Sequence, residues 1–184
     1  MTVPLRTEPT PTDDDLLARW REGDGRAATA LVERHADALA RFAATLGMGD
    51  DAEDVVQDTF VRAFQSLDGF RGESSLRTWL FSIARRLVVD RRRARRRRPL
   101  AVEIDEADAT APDDPLGGLI ADETERRLAD AIGRLSPTQR EVFVLRVRDG
   151  LSYKEIAAVA DTTEGAARVH YHNAMRSVKE YLDD

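Results

Sequence analysis

The residues most suited to chemistry in this sequence form a cluster of arginines. Nine arginines fall within residues 85–98, in the run RRLVVDRRRARRRR, whereas the whole chain of 184 residues has only two lysines. Guanidinium groups present paired donors that match phosphate oxygens, so a dense arginine cluster predicts contact with a nucleic-acid backbone. A solvated helix end or a disordered basic arm is the alternative interpretation of the same run.

The segment after the arginine cluster has the opposite charge. Residues 99–125 contain nine acidic side chains and no basic one, so the net charge of −6 conceals a strong asymmetry between neighbouring segments. Three prolines and a Gly-Gly pair accompany the acids. This composition cannot bury a core, and it predicts a flexible acidic linker over residues 99–121, extended by self-repulsion.

Several classes of protein are not expected from this sequence. It has no cysteine, which excludes disulfide frameworks, thiolate metal sites and cysteine nucleophiles. Its longest apolar run is residues 156–160, far short of the roughly 20 needed to span a bilayer, and it has no signal-peptide pattern. A cytoplasmic location without membrane insertion is therefore predicted. His170 and His172 point about 200° apart on a helix, and no nucleophile motif or phosphate-binding glycine loop occurs, so no metal, cofactor or enzymatic activity is expected.

Apolar spacing predicts four helices on one core over residues 13–98, after a disordered tail over residues 1–12. The first helix begins at three aspartates, which suit the positive end of the helix dipole. The stripe of the second helix is Leu31, His35, Leu39, Phe42 and Leu46. The stripe of the third is Val56, Phe60, Ala63 and Leu67. A fourth helix, capped by Ser74 or Ser75, runs on into the arginine cluster. Its stripe is Leu76, Leu80, Ile83 and Leu87.

Residues 122–184 predict a second helical domain. Ser136-Pro137 starts one helix, and Ser152 with Glu155 forms a capping box for a short helix over residues 153–160. A turn over residues 161–163 leads into a last helix that ends near residue 182. No strand-like alternation occurs anywhere. The predicted fold class is therefore all-α, with two small helical domains joined by the flexible acidic linker.

The end of the second domain has the pattern of a helix-turn-helix, in which the second helix enters a major groove. Polar side chains recur every four residues along that helix, at Glu164, Arg168, His172 and Arg176. Arg168 suits a guanine edge, and Glu164 suits the amine of cytosine. A solvated surface helix in a small bundle is the alternative interpretation.

Three motifs in this order resemble those of the extracytoplasmic-function (ECF) sigma factors, which direct bacterial RNA polymerase to promoters. DAEDVVQDTFVRAF, beginning at Asp51, resembles the family's core-polymerase-binding helix. FRGESSLRTWLFSIARRLVVDRRRARR, beginning at Phe70, resembles its −10 promoter-reading segment. LSPTQREVFVLRVRDGLSYKEIAAVADTTEGAARV, beginning at Leu135, resembles its −35-binding helix-turn-helix.

The resemblance implies an alternative sigma factor that binds core polymerase and directs promoter recognition, local DNA melting and transcription initiation. Residues 13–98 would be the four-helix promoter-melting domain, sigma region two, and residues 122–184 the helix-turn-helix domain, sigma region four. The implied partners are the β′ coiled coil and the β subunit of the polymerase, promoter DNA and an anti-sigma factor. A stand-alone helix-turn-helix regulator, which would bind DNA without polymerase, is the competing interpretation.

The resemblance also assigns residues to each contact. The polymerase-binding face would be Asp54, Gln57, Asp58 and Val61, for which a merely solvated acidic face is the alternative. A loop holding a flipped −10 base would be Phe70, Arg71, Glu73 and Ser74. Phosphates would be held by Arg77, Arg85, Arg86, Arg91 and Arg92. Phe70 could equally anchor its loop, and Trp79, which matches the family's tryptophan, could equally pack in the core.

The −35 assignment departs from the family pattern. The residues assigned are Thr163, Glu164, Arg168, Val169, His172, Asn173 and Arg176. However, His170, Asn173 and Met175 stand where arginines are common in the family, which predicts weaker −35 recognition and a shallower salt dependence. Arg86 replaces the family's usual asparagine, which strengthens backbone attraction. The linker would enter the RNA channel of the polymerase as a phosphate mimic, act as a simple spacer, or fold back on the arginine cluster.

Overall fold

The computed structural model describes residues 10–97 and 123–183, and within these ranges every regular element is helical. The all-α prediction is therefore confirmed. The eight α-helices are α1 (Asp13–Arg21), α2 (Gly25–Thr45), α3 (Ala52–Gln65), α4 (Leu76–Arg97), α5 (Glu123–Gly133), α6 (Pro137–Val147), α7 (Tyr153–Ala160) and α8 (Glu164–Asp183). The predicted linker lies outside the described residues, as does most of the predicted N-terminal tail.

The chain divides into two compact units, Met1–Asp37 and Ala38–Asp184. In the described part of the first unit, Asp13 connects the beginning of α1 to the middle of α2. Its Oδ1 accepts a hydrogen bond from Arg34 Nη1 at 2.7 Å, and its Oδ2 lies 2.9 Å from His35 Nε2. His35 was predicted as part of an apolar stripe; it is buried, with a carboxylate partner for its ring.

In the second unit, the core between α2, α3 and α4 includes a ring pair and a buried threonine. The rings of Phe42 and Phe81 meet edge to face with their centroids 4.9 Å apart. On α3, Val55 and Thr59 are fully buried, whereas Val56, which the spacing placed in the stripe, is half-buried. Phe60, Ala63 and Leu67 of the predicted stripe are buried. The buried face also includes Thr59, whose Oγ1 donates to the Val55 carbonyl at 2.7 Å, which satisfies the hydroxyl inside the core.

Helix α4 begins and continues as the sequence predicted. The Thr78 amide donates to Ser75 Oγ at 3.1 Å, so Ser75 supplies the N-terminal cap. All four predicted stripe residues of this helix are buried. The helix then continues to Arg97, so the described part of the arginine cluster is helical. A rigid helix therefore carries these guanidinium groups.

The helices after residue 122 form a small core of their own. Its buried residues are Ala131, Leu135, Phe143, Val144, Ala174 and Val178. Ser152 caps α7 through the predicted capping box with Glu155, and Ser136 caps α6 through a second box with Gln139. Asp161 adopts a left-handed φ of 51° at the end of α7 and so turns the chain towards α8.

Candidate nucleic-acid interface

The acidic face predicted on α3 is open to solvent. Asp54 and Gln57 are exposed, and Val61 is 48% exposed. Asp58 is also exposed, and its Oδ2 accepts a hydrogen bond from Arg91 Nη2 at 2.6 Å. Residues three and four positions apart are neighbours on a helix surface, so the four side chains form one continuous strip.

The arginine cluster occupies the C-terminal half of α4 and adjoins that strip. Besides its bond to Asp58, Arg91 donates from Nη1 to the Asp51 carbonyl at 3.4 Å. Arg95 forms an ion pair with the Asp51 carboxylate. Arg92 is exposed on the same helix, as is Arg86 one and a half turns earlier. The predicted polymerase-binding face and the predicted phosphate-binding cluster therefore form adjacent surfaces.

The loop before α4 forms an open pocket of about 360 Å³. Its lining residues are Gly69, Phe70, Arg71, Glu73, Ser74 and Trp79. The structure thus brings together all four loop residues that the sequence singled out, and it adds Trp79 from α4. The rings of Phe70 and Trp79 have centroids 4.9 Å apart and planes inclined by 37°, and both side chains are half-buried. Each ring therefore packs against the other and also lines the pocket.

Two other predicted phosphate-binding arginines contact carboxylates of α6 and of the turn after it. Arg77 Nη2 donates to Asp149 Oδ1 at 2.8 Å, and Arg85 Nε donates to Glu141 Oε1 at 2.7 Å. The carboxylate side chains are only 3% and 8% exposed. Burial raises the pKa of both Asp149 and Glu141, and the facing guanidinium groups offset only part of that effect. In this arrangement the two arginines are engaged by protein carboxylates.

A third carboxylate, Glu155 of α7, contacts the N-terminal end of α4. Its Oε1 accepts hydrogen bonds from Thr78 Oγ1 at 3.0 Å and from Ser75 Oγ at 3.4 Å. Its Oε2 accepts the Ser152 amide of the capping box. Burial alone would raise the pKa of Glu155, but the hydrogen bonds from Ser152, Thr78 and Ser75 outweigh it and lower the pKa. We call Glu141, Asp149 and Glu155, which all bind α4, the carboxylate clamp.

Sequence reasoning missed the carboxylate clamp as a functional feature. One signal was present for Glu141, because it directly precedes the run Val142–Leu145 and is itself buried among apolar neighbours in sequence. A buried carboxylate requires a partner, and an arginine is the usual one. Glu155 was identified only through its capping role. Nothing in the local sequence marked Asp149.

The helix-turn-helix has the predicted geometry. Glu164, Arg168, His172 and Arg176 are all exposed along α8, and Val169 beside them is 58% exposed. Asn173 is half-buried. Thr163 is exposed, and its Oγ1 accepts the Ala166 amide at 3.1 Å, so its side chain caps α8. The seven predicted −35 residues therefore lie at the beginning and along one side of the same helix, with Thr163 in a structural position.

Comparison with known proteins identifies the family. The Sigma-70 region 2 model matches residues 31–98, and the Sigma-70 region 4 model matches residues 125–178. The ECF RNA polymerase sigma-E factor of Haemophilus influenzae is 32% identical over 180 residues, covering 93% of this chain and 95% of that protein. The chain belongs to the ECF sigma factors. This family consists of transcription initiation factors.

Two solved structures resemble this sigma factor. One is the sigma factor RpoE in complex with the anti-sigma factor NepR from Bartonella quintana, with 29% identity, a TM-score of 0.68, and coverage of 84% of this chain and 96% of that one. The other is CnrH in complex with the cytosolic domain of CnrY, with 32% identity, a TM-score of 0.65, and coverage of 93% and 97%.

The carboxylate clamp connects the two sigma regions. Arg77 and Arg85 lie in the segment matched to region 2, and the three clamp carboxylates lie in the segment matched to region 4.

None of the helices in residues 10–97 and 123–183 combines the length and apolar character that crossing a bilayer requires. Within those residues, no group of three or more His, Asp or Glu side chains is placed to hold a metal ion.

Proposed function

We propose that this sigma factor binds core RNA polymerase through α3 and opens promoter DNA with α4 and the loop before it. The observation that carries the proposal is the arrangement on α4. The helix has the aromatic pocket at its beginning and exposed arginines further along, and it adjoins the acidic strip of α3. A single rigid element would therefore relate the polymerase contact to the DNA contact.

The strip on α3 suits a basic partner helix. Asp54, Gln57 and Asp58 offer carboxylate and amide acceptors, and Val61 adds an exposed apolar contact. Interfaces combine such an apolar contact with charged groups that set orientation and specificity. The β′ coiled coil of core polymerase is the partner that we assign to this strip, with further contacts to the β subunit.

The pocket before α4 suits an extruded base of the −10 element. Phe70 and Trp79 present aromatic surfaces on which a base can stack, and Arg71, Glu73 and Ser74 supply hydrogen-bonding groups around it. Arg86 and Arg92 would hold backbone phosphates on the adjoining surface of the helix.

We infer that the arrangement described here is a closed state. Arg77 and Arg85 can hold phosphates only after the carboxylate clamp releases them, and Arg91 only after it leaves Asp58. When the α3 strip docks on polymerase, the basic partner helix would compete with Arg91 for Asp58 and so release Arg91. Promoter binding would then require the polymerase, as expected for a sigma factor rather than a stand-alone regulator.

In the segment that matches sigma region 4, the exposed side of α8 would read the −35 element. Arg168 and Glu164 would contact base edges, and Val169 offers an apolar surface to a thymine methyl group. His172, Asn173 and Arg176 would follow the backbone. Thr163 would contribute by capping the helix. An anti-sigma factor is a further partner, because both structural neighbours were solved in complexes and RpoE is bound to one there.

Copurification with core polymerase tests the proposal. We expect Asp54→Arg to abolish recovery of the chain with core polymerase and to abolish promoter-dependent transcription. The reason is that the substitution places a positive charge on the α3 strip, where it would repel the basic partner helix. The matched control is Glu180→Arg, which makes the same charge change at an exposed position of α8. Equal recovery of both variants would contradict the assignment of α3. A chain that protects promoter DNA equally well without polymerase would support the stand-alone regulator instead.

A further inference from the structure

Tyr153, the first residue of α7, contacts the base-reading arginine of the next helix. The Arg168 guanidinium carbon lies 4.8 Å from the centroid of the Tyr153 ring, within the roughly 6 Å range of a cation–π contact. Arg168 Nη2 also donates to Glu164 Oε1 at 3.1 Å. Arg168 is nevertheless 54% exposed, so it remains accessible to a ligand.

The ring of Tyr153 is itself held in place by an aromatic series that reaches the core. It meets the ring of Tyr171 edge to face at 5.9 Å, and Tyr171 stacks at 6.4 Å on Phe143, which is 5% exposed. The Arg146 guanidinium carbon lies 4.8 Å from the centroid of the Tyr153 ring, and Arg146 Nη1 donates to the Leu151 carbonyl at 2.8 Å. The surface on which Arg168 rests is therefore fixed by the folded domain.

We propose that Tyr153 is a positioning residue that holds Arg168 in the orientation in which it reads the −35 DNA. This inference rests on the proposed function, because it takes Arg168 as a base contact. The first helix of the helix-turn-helix would thereby influence sequence recognition through an aromatic ring that does not itself touch a base.

The physical reason is preorganisation. An arginine free in solvent loses side-chain freedom when it grips a base, and ordering one such side chain costs enough to weaken binding by about two- to tenfold. Stacking on Tyr153 and the bond to Glu164 restrict the guanidinium before DNA arrives. The effect matters more on this helix, because Asn173 and Met175 are uncharged side chains and cannot compensate.

A series of substitutions separates positioning from packing. Tyr153→Phe keeps the ring and removes only the hydroxyl. Tyr153→Leu keeps an apolar side chain but removes the aromatic face. Arg168→Ala removes the arginine, and the double variant Tyr153→Leu/Arg168→Ala closes a double-mutant cycle. Each full-length variant is assembled with core polymerase and tested on a promoter fragment recovered by transcribing genomic DNA with the wild-type holoenzyme.

Two quantities are measured for each holoenzyme. One is its affinity for that promoter, and the other is the ratio of affinities for the promoter and for fragments with substituted −35 base pairs. We expect Tyr153→Leu to weaken promoter binding about two- to tenfold and to reduce the ratio, whereas Tyr153→Phe leaves both unchanged. In the Arg168→Ala background, Tyr153→Leu should have no further effect. Thermal unfolding of each free variant reports any loss of folded protein.

The outcomes distinguish the inference from the proposed function. If Arg168→Ala retains the full ratio, Arg168 is not a base contact, and both the assignment of that residue and the role of Tyr153 fall. If Arg168→Ala reduces the ratio while Tyr153→Leu does not, only the positioning role is overturned. An equal effect of Tyr153→Leu with and without Arg168 also overturns it, because simple packing would act independently of the arginine.

Discussion

The carboxylate clamp predicts that two isosteric substitutions open the sigma factor without unfolding either region. The perturbation is Glu141→Gln with Asp149→Asn, which keeps the shapes of both side chains and removes their charges. In the wild type these carboxylates hold Arg85 and Arg77 at 2.7 and 2.8 Å. The amides that replace them cannot form charged pairs with the arginines.

The size of the effect follows from exposure. A hydrogen bond to a charged group contributes about 1.5–3 kcal/mol. We take the low end, because Arg77 and Arg85 are 38% and 24% exposed and regain water on release. The two pairs are eight residues apart on α4, about 12 Å along its axis, so their effects should add. We take the burial that raises the pKa of both carboxylates as common to the open and closed forms, so that only the charged hydrogen bonds are lost on opening. The double substitution should then favour the open form by about 3 kcal/mol, roughly a 150-fold change in the ratio of open to closed molecules.

Distance measurements between two labels can detect that change. The sequence has no cysteine, so Asp90→Cys on α4 and Lys154→Cys on α7, both at exposed positions, give a specific donor and acceptor pair. We expect the double substitution to shift the label pair from a short to a long separation. Binding of the free chain to duplex DNA should also depend more steeply on salt, by up to about 1.8 in the logarithmic slope for two added phosphate contacts.

The double substitution removes two negative charges, and this loss by itself favours DNA binding. A control variant therefore has to remove the same charge elsewhere. Glu33→Gln with Glu180→Gln removes the same charge at exposed positions and should leave the label separation as in the wild type. If the clamp variant and this control behave alike in both measurements, the clamp does not hold the closed state and the reasoning fails.

Two further predictions concern single groups. Burial raises the pKa of Glu141 above its ordinary 4.5 despite Arg85, so the folded chain holds this proton more tightly than the unfolded chain. The free energy of unfolding of the wild type, relative to that of Glu141→Gln, should therefore fall as pH rises from about 4.5 through the raised pKa. Urea unfolding at a series of pH values measures this difference. A rise over the same pH range would show that ion pairing outweighs burial. Phe70→Ala should weaken holoenzyme binding to single-stranded −10 DNA about tenfold, since stacking contributes about 1–3 kcal/mol per base, whereas Phe70→Tyr should not. A variant that loses thermal stability but keeps its DNA affinity would assign Phe70 to loop anchoring alone.

Local features of the fold were predictable because they depend on neighbouring residues. The cap at Ser75, the capping box of Ser152 with Glu155, and the bounds of α7 all follow from interactions across three or four positions. Spacing analysis left Val55 and Thr59 out of the buried face of α3, because it counts a threonine as polar. Thr59 satisfies its hydroxyl on a carbonyl of its own helix, and a polar-versus-apolar pattern does not record that bond.

The amino-acid sequence alone determined the family, the helices, the loop residues that line one pocket and the exposed reading side of α8, because each of these is encoded within a short stretch of chain. Only the tertiary structure decided which arginines are engaged. Arg77 and Arg85 meet partners 72 and 56 residues away, and Arg91 meets one 33 residues away. In the sequence the arginines of α4 are chemically equivalent. In the folded chain, Arg77, Arg85 and Arg91 bind carboxylates that are distant in sequence, whereas Arg86 and Arg92 remain exposed.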